Sequence, residues 1–163
     1  EGCRRGETFV TRKITSAVAR IFHGSNEKIY LGNLNAKRDW GDAEDYTESM
    51  WKMLQQKKPD DYVIATGKSY SVREFVREAF SNINIDIKWR GSGLNEYGYD
   101  SKSRKVYIKI SKIYFRPTEV YELRGDSRKA KRVLKWKPKI DFKKMVKKMV
   151  NFDIDNYGKT NFY

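Results

Sequence analysis

The sequence predicts an α/β lobe of short strands and several helices, and three observations carry that expectation. Apolar residues recur at helical spacing in separate stretches, two other stretches alternate apolar with polar residues, and a helix-opening capping box stands between them. Val10, Ile14, Ala17, Val18 and Ile21 share one face of a helix over residues 9–23, which Gly24 ends. Residues 28–31 (Lys-Ile-Tyr-Leu) read as a short strand entering a Gly-Asn turn. Asp42 suits the cap of a second helix, with Ala43, Tyr46, Met50, Met53 and Leu54 on one face. Pro59 and Asp60 break it, and residues 62–65 form a short β-rich run before Gly67.

Ser71 and Glu74 make the capping box of a third helix that runs to about residue 80. Ile85, Ile87 and Trp89 alternate, as do Val106, Ile108 and Ile110, which predicts two strands joined by a loop rich in Gly and Ser. Asp126 opens a short helix over 127–134, ended by Trp136-Lys137-Pro138. Asp141 opens a last helix with Phe142, Met145, Val146, Met149 and Val150 inward and Lys143, Lys144, Lys147 and Lys148 on the opposite face. There is no internal repeat, and no linker is long enough to separate a pair of domains.

A chain of 163 residues suffices for one domain, since that size buries roughly two-thirds of its unfolded surface. No apolar run approaches the ~20 residues of a membrane helix, and Glu1-Gly2-Cys3-Arg4-Arg5 is no signal peptide, so a cytoplasmic protein without a membrane partner is expected. With one cysteine and one histidine, an internal disulfide and a thiolate metal site are excluded, and a reducing compartment follows. Cys3 and His23 do not suggest a catalytic pair. His23, at a helix end, reads as a solvated capping residue.

The formal charge of +14 is concentrated. Residues 1–100 hold 16 basic and 15 acidic side chains, whereas residues 101–150 hold 18 basic and 4 acidic. Such a block suits an anionic partner such as nucleic acid or a phosphorylated ligand, or simply solvated lysine-rich faces, and the second reading is preferred.

From the residues alone, five points suit an anionic ligand: Lys13, the Leu31-Gly32-Asn33 turn, Arg38, Arg116 and Glu119. Arginine's planar fork donates two parallel hydrogen bonds to phosphate oxygens. Pro117 restricts Arg116 to extended backbone, and glycine at 32 permits close approach to a ligand, with turn amides free to read a base edge. Spacing does not bring two distant arginines together, so a salt-bridge role for either weighs as much as a clamp.

Several blocks tip the balance. Gly6-Glu7-Thr8-Phe9-Val10-Thr11-Arg12-Lys13-Ile14-Thr15, Leu31-Gly32-Asn33-Leu34 and Arg38-Asp39-Trp40-Gly41 follow one another in order. Ile64-Ala65-Thr66-Gly67, Ser71-Val72-Arg73-Glu74-Phe75-Val76 and Tyr114-Phe115-Arg116-Pro117-Thr118-Glu119-Val120 come after them. Together they resemble the second half of the GDP-mannose 4,6-dehydratases, NADP-dependent enzymes of the extended short-chain dehydrogenase family, from about residue 4 to about residue 150. The resemblance implies that residues 1–163 are the C-terminal, GDP-sugar-binding portion, an α/β lobe whose strands near 28–33 and 61–66 complete a Rossmann-type sheet. It implies that the N-terminal cofactor half lies outside this chain, joined in cis or in trans. By the same resemblance Arg38 and Arg116 hold the nucleotide diphosphate, Val10 and Lys13 line the GDP-mannose cleft, and Leu31, Gly32 and Asn33 border the guanine or ribose. Glu119 stands near the ribose, and Arg5 approaches NADP. Family members assemble as dimers or tetramers. The chain departs from the family at Gly2 and Cys3, where Ser-Pro is usual, and at Asp42, where histidine is usual.

The resemblance also defines what this chain lacks. The family removes a hydride from the sugar C4, eliminates water across C5 and C6 and returns the hydride to C6, using NADP and a Tyr-x-x-x-Lys pair. None of the eleven tyrosines has lysine four positions later, and no Gly-x-x-Gly-x-x-Gly or Gly-x-Gly-x-x-Gly turn occurs. No nucleophile elbow or P-loop is present either, and Asp60-Asp61 reads as a solvated loop. The expectation is a substrate-binding half, inactive alone, in GDP-fucose or GDP-rhamnose formation. The alternative is a repurposed relative, a basic structural or RNA-binding subunit of a larger assembly.

Overall fold

Helix α1 (Val10–Phe22) begins the ordered framework in the computed structural model, which describes residues 1–159. Its inward stripe is dry, with Ile14 and Val18 fully buried. Gly24 follows the helix at φ +95°, left-handed backbone that glycine adopts without strain. His23, although exposed, does more than cap. Its Nε2 lies 3.0 Å from the Ile154 carbonyl and its ring stacks on Tyr157 with centroids 4.5 Å apart, so it ties the first helix to the last.

After α1 come β1 (Ile29–Leu31), β2 (Lys37–Arg38), α2 (Ala43–Leu54), β3 (Tyr70–Ser71), α3 (Val72–Ser81), β4 (Ile87–Arg90), β5 (Tyr97–Asp100), β6 (Val106–Ile110), β7 (Glu122–Leu123), α4 (Arg128–Val133) and α5 (Phe142–Asp155). One sheet has the order β1-β6-β5-β4, with β1 parallel to β6 and the other pairs antiparallel. A second, small sheet has the order β3-β2-β7, in which β2 runs antiparallel to β3 and parallel to β7. Helices α1, α3 and α5 pack on one another and bury Phe75, Val76, Phe80, Met145 and Met149 completely. Between α1 and α5 the buried Arg12 and Asp153 form an ion pair, so the contact of these two helices is ionic as well as apolar. Removing one partner of such a pair costs about 3–5 kcal/mol because the other charge stays buried.

The caps read from the sequence are present. Asp42 accepts from the Glu44 amide, Asp141 from the Lys144 amide, and Ser71 with Glu74 forms a reciprocal capping box. Asp42, 1% exposed, also pairs with Lys148 at 3.3 Å, and Glu44 meets the same ammonium at 2.7 Å. Lys148 is therefore not on the solvated face of the last helix. It pins α5 to the start of α2, which gives Asp42 a structural role.

Three further expectations change. A strand, β5, lies inside the loop expected between residues 90 and 105. Its Gly98 sits under Trp89 and Ile108, where a Cβ would come within 2.9 Å and 3.0 Å of those side chains. Residues 62–65 form no strand, and their backbone groups have no hydrogen-bond partner among the described residues. The apolar face of α2 is only half used. Tyr46 and Met53 pack with Tyr62 and Ile64 on a second core of Ala130, Leu134 and Trp136, whereas Met50 and Leu54 are 60% and 83% exposed beside an exposed Trp51. What holds α2 is polar: Trp136 Nε1 donates to the Asp45 carbonyl at 2.8 Å, and the Lys139 and Ile140 amides both donate to Asp45 Oδ2 at 2.9 Å.

Candidate functional site

Where α1, β1 and the small sheet converge, a cavity of about 410 Å³ opens. The first turn of α1 supplies Val10 and Lys13, β1 supplies Leu31, the following turn Gly32 and Asn33, and β2 supplies Arg38. The far wall is the segment after β6, with Tyr114, Arg116 and Glu119. All eight residues expected at a substrate cleft thus line one cavity, although they come from sites more than a hundred residues apart. Arg5 is not among them. Its guanidinium lies 3.4 Å from the centroid of the Phe9 ring and 3.5 Å from Glu1, and Phe9 in turn lines the cavity.

The segment after β6 crosses the open side as a strap. The Ser111 amide extends the β1–β6 pairing by donating to the Leu31 carbonyl at 2.8 Å, and the Ser111 carbonyl then turns the chain by accepting from Tyr114 and Phe115 at 3.1 Å and 2.9 Å. Gly32 is required here by close approach, since a Cβ would overlap the Tyr114 carbonyl. The Asn33 carboxamide pairs with Arg116 in both directions. Its Nδ2 donates to the Arg116 carbonyl at 2.9 Å, and the Arg116 amide donates to its Oδ1 at 2.8 Å. Further on, Arg38 Nη2 donates to Glu119 Oε1 at 2.6 Å and Nη1 to the Val120 and Lys37 carbonyls at 2.8 Å and 2.7 Å. The Lys37 amide donates to the Tyr121 carbonyl at 2.7 Å, which leads into the β2–β7 pairing.

Three cations and one carboxylate therefore face the cavity, each in a different state. Lys13 Nζ sits 3.6 Å from the centroid of the Tyr114 ring. Arg38 is neutralised by Glu119. The Arg116 guanidinium is exposed and has no protein partner among the described residues. Two arginines, one free and one shared with a carboxylate, suit an oligoanion with a hydroxyl close by, because guanidinium binds phosphate oxygens and carboxylate accepts from hydroxyls. The cavity lining offers no histidine or cysteine, and its one carboxylate is engaged by Arg38.

A comparison of sequences decides the family. The sequence model described as GDP-mannose 4,6 dehydratase matches residues 1–149. The chain belongs to the GDP-mannose 4,6-dehydratase family. The family's enzyme from Dictyostelium discoideum is 58% identical to it over 95% of this chain and 44% of that protein, and the human one 50% identical over 95% and 42%. The chain thus spans less than half the length of the relatives it matches. Its fold agrees with the RMD of Pseudomonas aeruginosa complexed with NADPH (TM-score 0.76, 17% identity, 95% of this chain and 46% of that one). It agrees also with the dTDP-glucose 4,6-dehydratase of Bacillus anthracis in complex with NAD (TM-score 0.71, 15% identity, 96% and 42%). The lobe is that of an extended short-chain dehydrogenase.

Within this dehydratase-family lobe the structure adds residues that the sequence alone did not assign to the cavity. Tyr30, Ala36, Trp40, Val72 and Tyr114 line the cavity beside the expected ones. Asp39, next to Arg38, receives the amides of Thr66, Gly67 and Gly125 at 2.9, 2.8 and 3.2 Å and the Thr66 hydroxyl at 2.5 Å. One carboxylate thereby fixes two turns behind β2. Its place in the Arg-Asp-Trp motif was the available signal, but its partners lie as far as 86 residues away, at Gly125.

Proposed function

We propose that this chain is the GDP-sugar-binding portion of a GDP-mannose 4,6-dehydratase, converting GDP-mannose to GDP-4-keto-6-deoxymannose when joined to an NADP-binding half. The observation that carries the reading is the convergence of Val10, Lys13, Leu31, the Gly32–Asn33 turn, Arg38, Arg116 and Glu119 on one cavity. Arg38 and Arg116 take the diphosphate, Glu119 stays beside Arg38 and accepts from a ribose hydroxyl, and Lys13 and Val10 lie along the remaining wall. The chain's own residues do not fit a whole NADP site. Arg5, stacked on Phe9 and paired with Glu1, forms at most its edge, and the Tyr-x-x-x-Lys pair and glycine-rich turn are missing. The hydride and proton steps therefore belong to residues outside this chain.

The exposed Met50, Trp51 and Leu54 support a covering portion of that kind, since soluble domains rarely leave an apolar cluster uncovered. A cytoplasmic dimer or tetramer belongs to the same proposal. Among the described residues no helix is long and apolar enough to cross a membrane.

The test is binding of GDP-mannose to the full-length protein by calorimetry. Arg38→Ala and Arg116→Ala should each weaken it roughly ten- to a hundredfold, the equivalent of one lost charge-assisted hydrogen bond. Arg128→Ala, an exposed residue paired with Asp126 away from the cavity, should leave it nearly unchanged. Equal losses in all three would mean that general charge, not this cavity, governs binding.

A further inference from the structure

Beside the backbone bonds at Ser111 and Tyr121, two side-chain hydrogen-bonded attachments hold the strap that carries Arg116, and they differ in kind. One is ionic: Arg38 to Glu119 and to the Val120 carbonyl. The other is neutral: the two-way pairing of the Asn33 carboxamide with the backbone of Arg116, spanning 83 residues. A side-chain amide that donates to a residue's carbonyl and accepts from its amide fixes both the position and the rotation of that residue, as one rung of a β-ladder does. Pro117, which follows, brings no N–H of its own and restricts Arg116 to extended backbone. The carboxamide thus partners both backbone groups of Arg116 between the Ser111 turn and the Arg38 attachment.

We infer that Asn33 is a positioning residue for Arg116, setting where its guanidinium enters the cavity rather than contacting the ligand's base or ribose. The assignment rests on the nucleoside-diphosphate reading of the cavity and deepens it. Both the oxygen and the nitrogen of the carboxamide already bond Arg116, and the space a Cβ would take at Gly32 is filled by the Tyr114 carbonyl. The neutrality of the Asn33 attachment has a consequence. A bound diphosphate competes with Glu119 for Arg38, so the ionic attachment weakens as the ligand arrives. The Asn33 pairing carries no charge and is indifferent to that competition, so it keeps Arg116 in place at the moment the strap's other anchor is shared.

The experiment is a pair of double-mutant cycles on the full-length protein, read as calorimetric Kd for GDP, together with hydrogen exchange of the free protein. Asn33→Ala should weaken GDP roughly tenfold, and Asn33→Ala combined with Arg116→Ala should be no weaker than Arg116→Ala alone. Asn33→Ala combined with Arg38→Ala should instead lose at least the product of the two single losses, because both side chains hold the same strap. In the free protein, Asn33→Ala should speed exchange at the Arg116 amide while α1, α3 and α5 keep their protection, which separates local release from a general loss of fold. GDP binding unchanged in Asn33→Ala, or multiplicative losses with Arg116→Ala, would overturn the assignment and leave the cavity's ligand standing. An unsubstituted protein that takes up no GDP would instead remove the nucleotide reading, and the role of Asn33 with it.

Discussion

Glu119 shows at the scale of one residue why the cavity is not simply a basic hole. Its carboxylate lies 2.6 Å from Arg38, so an incoming anion meets one guanidinium already balanced and one, that of Arg116, still open. A site built this way favours a ligand that can also satisfy Glu119, because taking up Arg38 costs some of an existing pair. Tyr46 is a second informative residue. Burial, helped by the charges of Asp39, Asp45 and Glu1, pushes its phenol up to about 12 from the ordinary 10. The folded protein thus holds that proton more tightly than the unfolded chain does. The stability it contributes is whole below pH 10 and is lost as pH rises toward about 12. In an ultraviolet titration of the eleven tyrosines, Tyr46 should be among those that ionise late, together with the loss of helical circular dichroism. Tyr46→Phe should move that alkaline transition to higher pH. An unmoved transition would show that Tyr46 is not the group that drives it.

At the scale of elements, α2 is unusual in being held by a carboxylate instead of an apolar stripe. Asp45, 4% exposed, gathers the Lys139 and Ile140 amides on one oxygen, and the Trp136 indole donates to its carbonyl. Asp45→Ala should cost about 2–4 kcal/mol in denaturant unfolding, since two half-buried amides lose a charged acceptor. Asp45→Asn, which keeps an acceptor oxygen, should cost clearly less. Equal costs would indicate that the helix depends on packing alone. This dependence also marks what was legible in the sequence. Helices α1, α3 and α5 announce themselves through periodicity and caps, because their burial is a property of one face of one segment. The strands β2, β3 and β7 are two residues each and carry no period, and β5 hides behind Gly98, a residue that weakens a strand signal while making room for Trp89. The site divides the same way. Arg38, Arg116 and Glu119 were recognisable from motifs, but the pairing of Asn33 with Arg116 joins a side chain to a backbone across 83 positions, and no local pattern encodes it.

For the molecule as a whole, two opposing surface properties decide how it behaves alone. Met50, Trp51 and Leu54 lie 60%, 62% and 83% exposed, and residues 62–65 offer backbone groups without partners among those described. Such a face favours association, by apolar burial and by strand addition. Against it stands a net charge of +14, most of it between residues 101 and 150, which repels a second copy over a distance set by salt. The screening length falls from about 10 Å at 0.1 M salt to about 3 Å at 1 M, while apolar burial is not weakened by it. The isolated chain should therefore stay mostly monomeric in dilute buffer and associate as salt is raised, the reverse of what an ionic contact would do. Light scattering across a salt series distinguishes the two. Leu54→Lys with Met50→Glu should abolish the salt-driven association while leaving the melting temperature within a few degrees, because neither side chain is buried. Association that instead dissolves with salt would mean that the basic block, and not the uncovered face of α2, makes the contact.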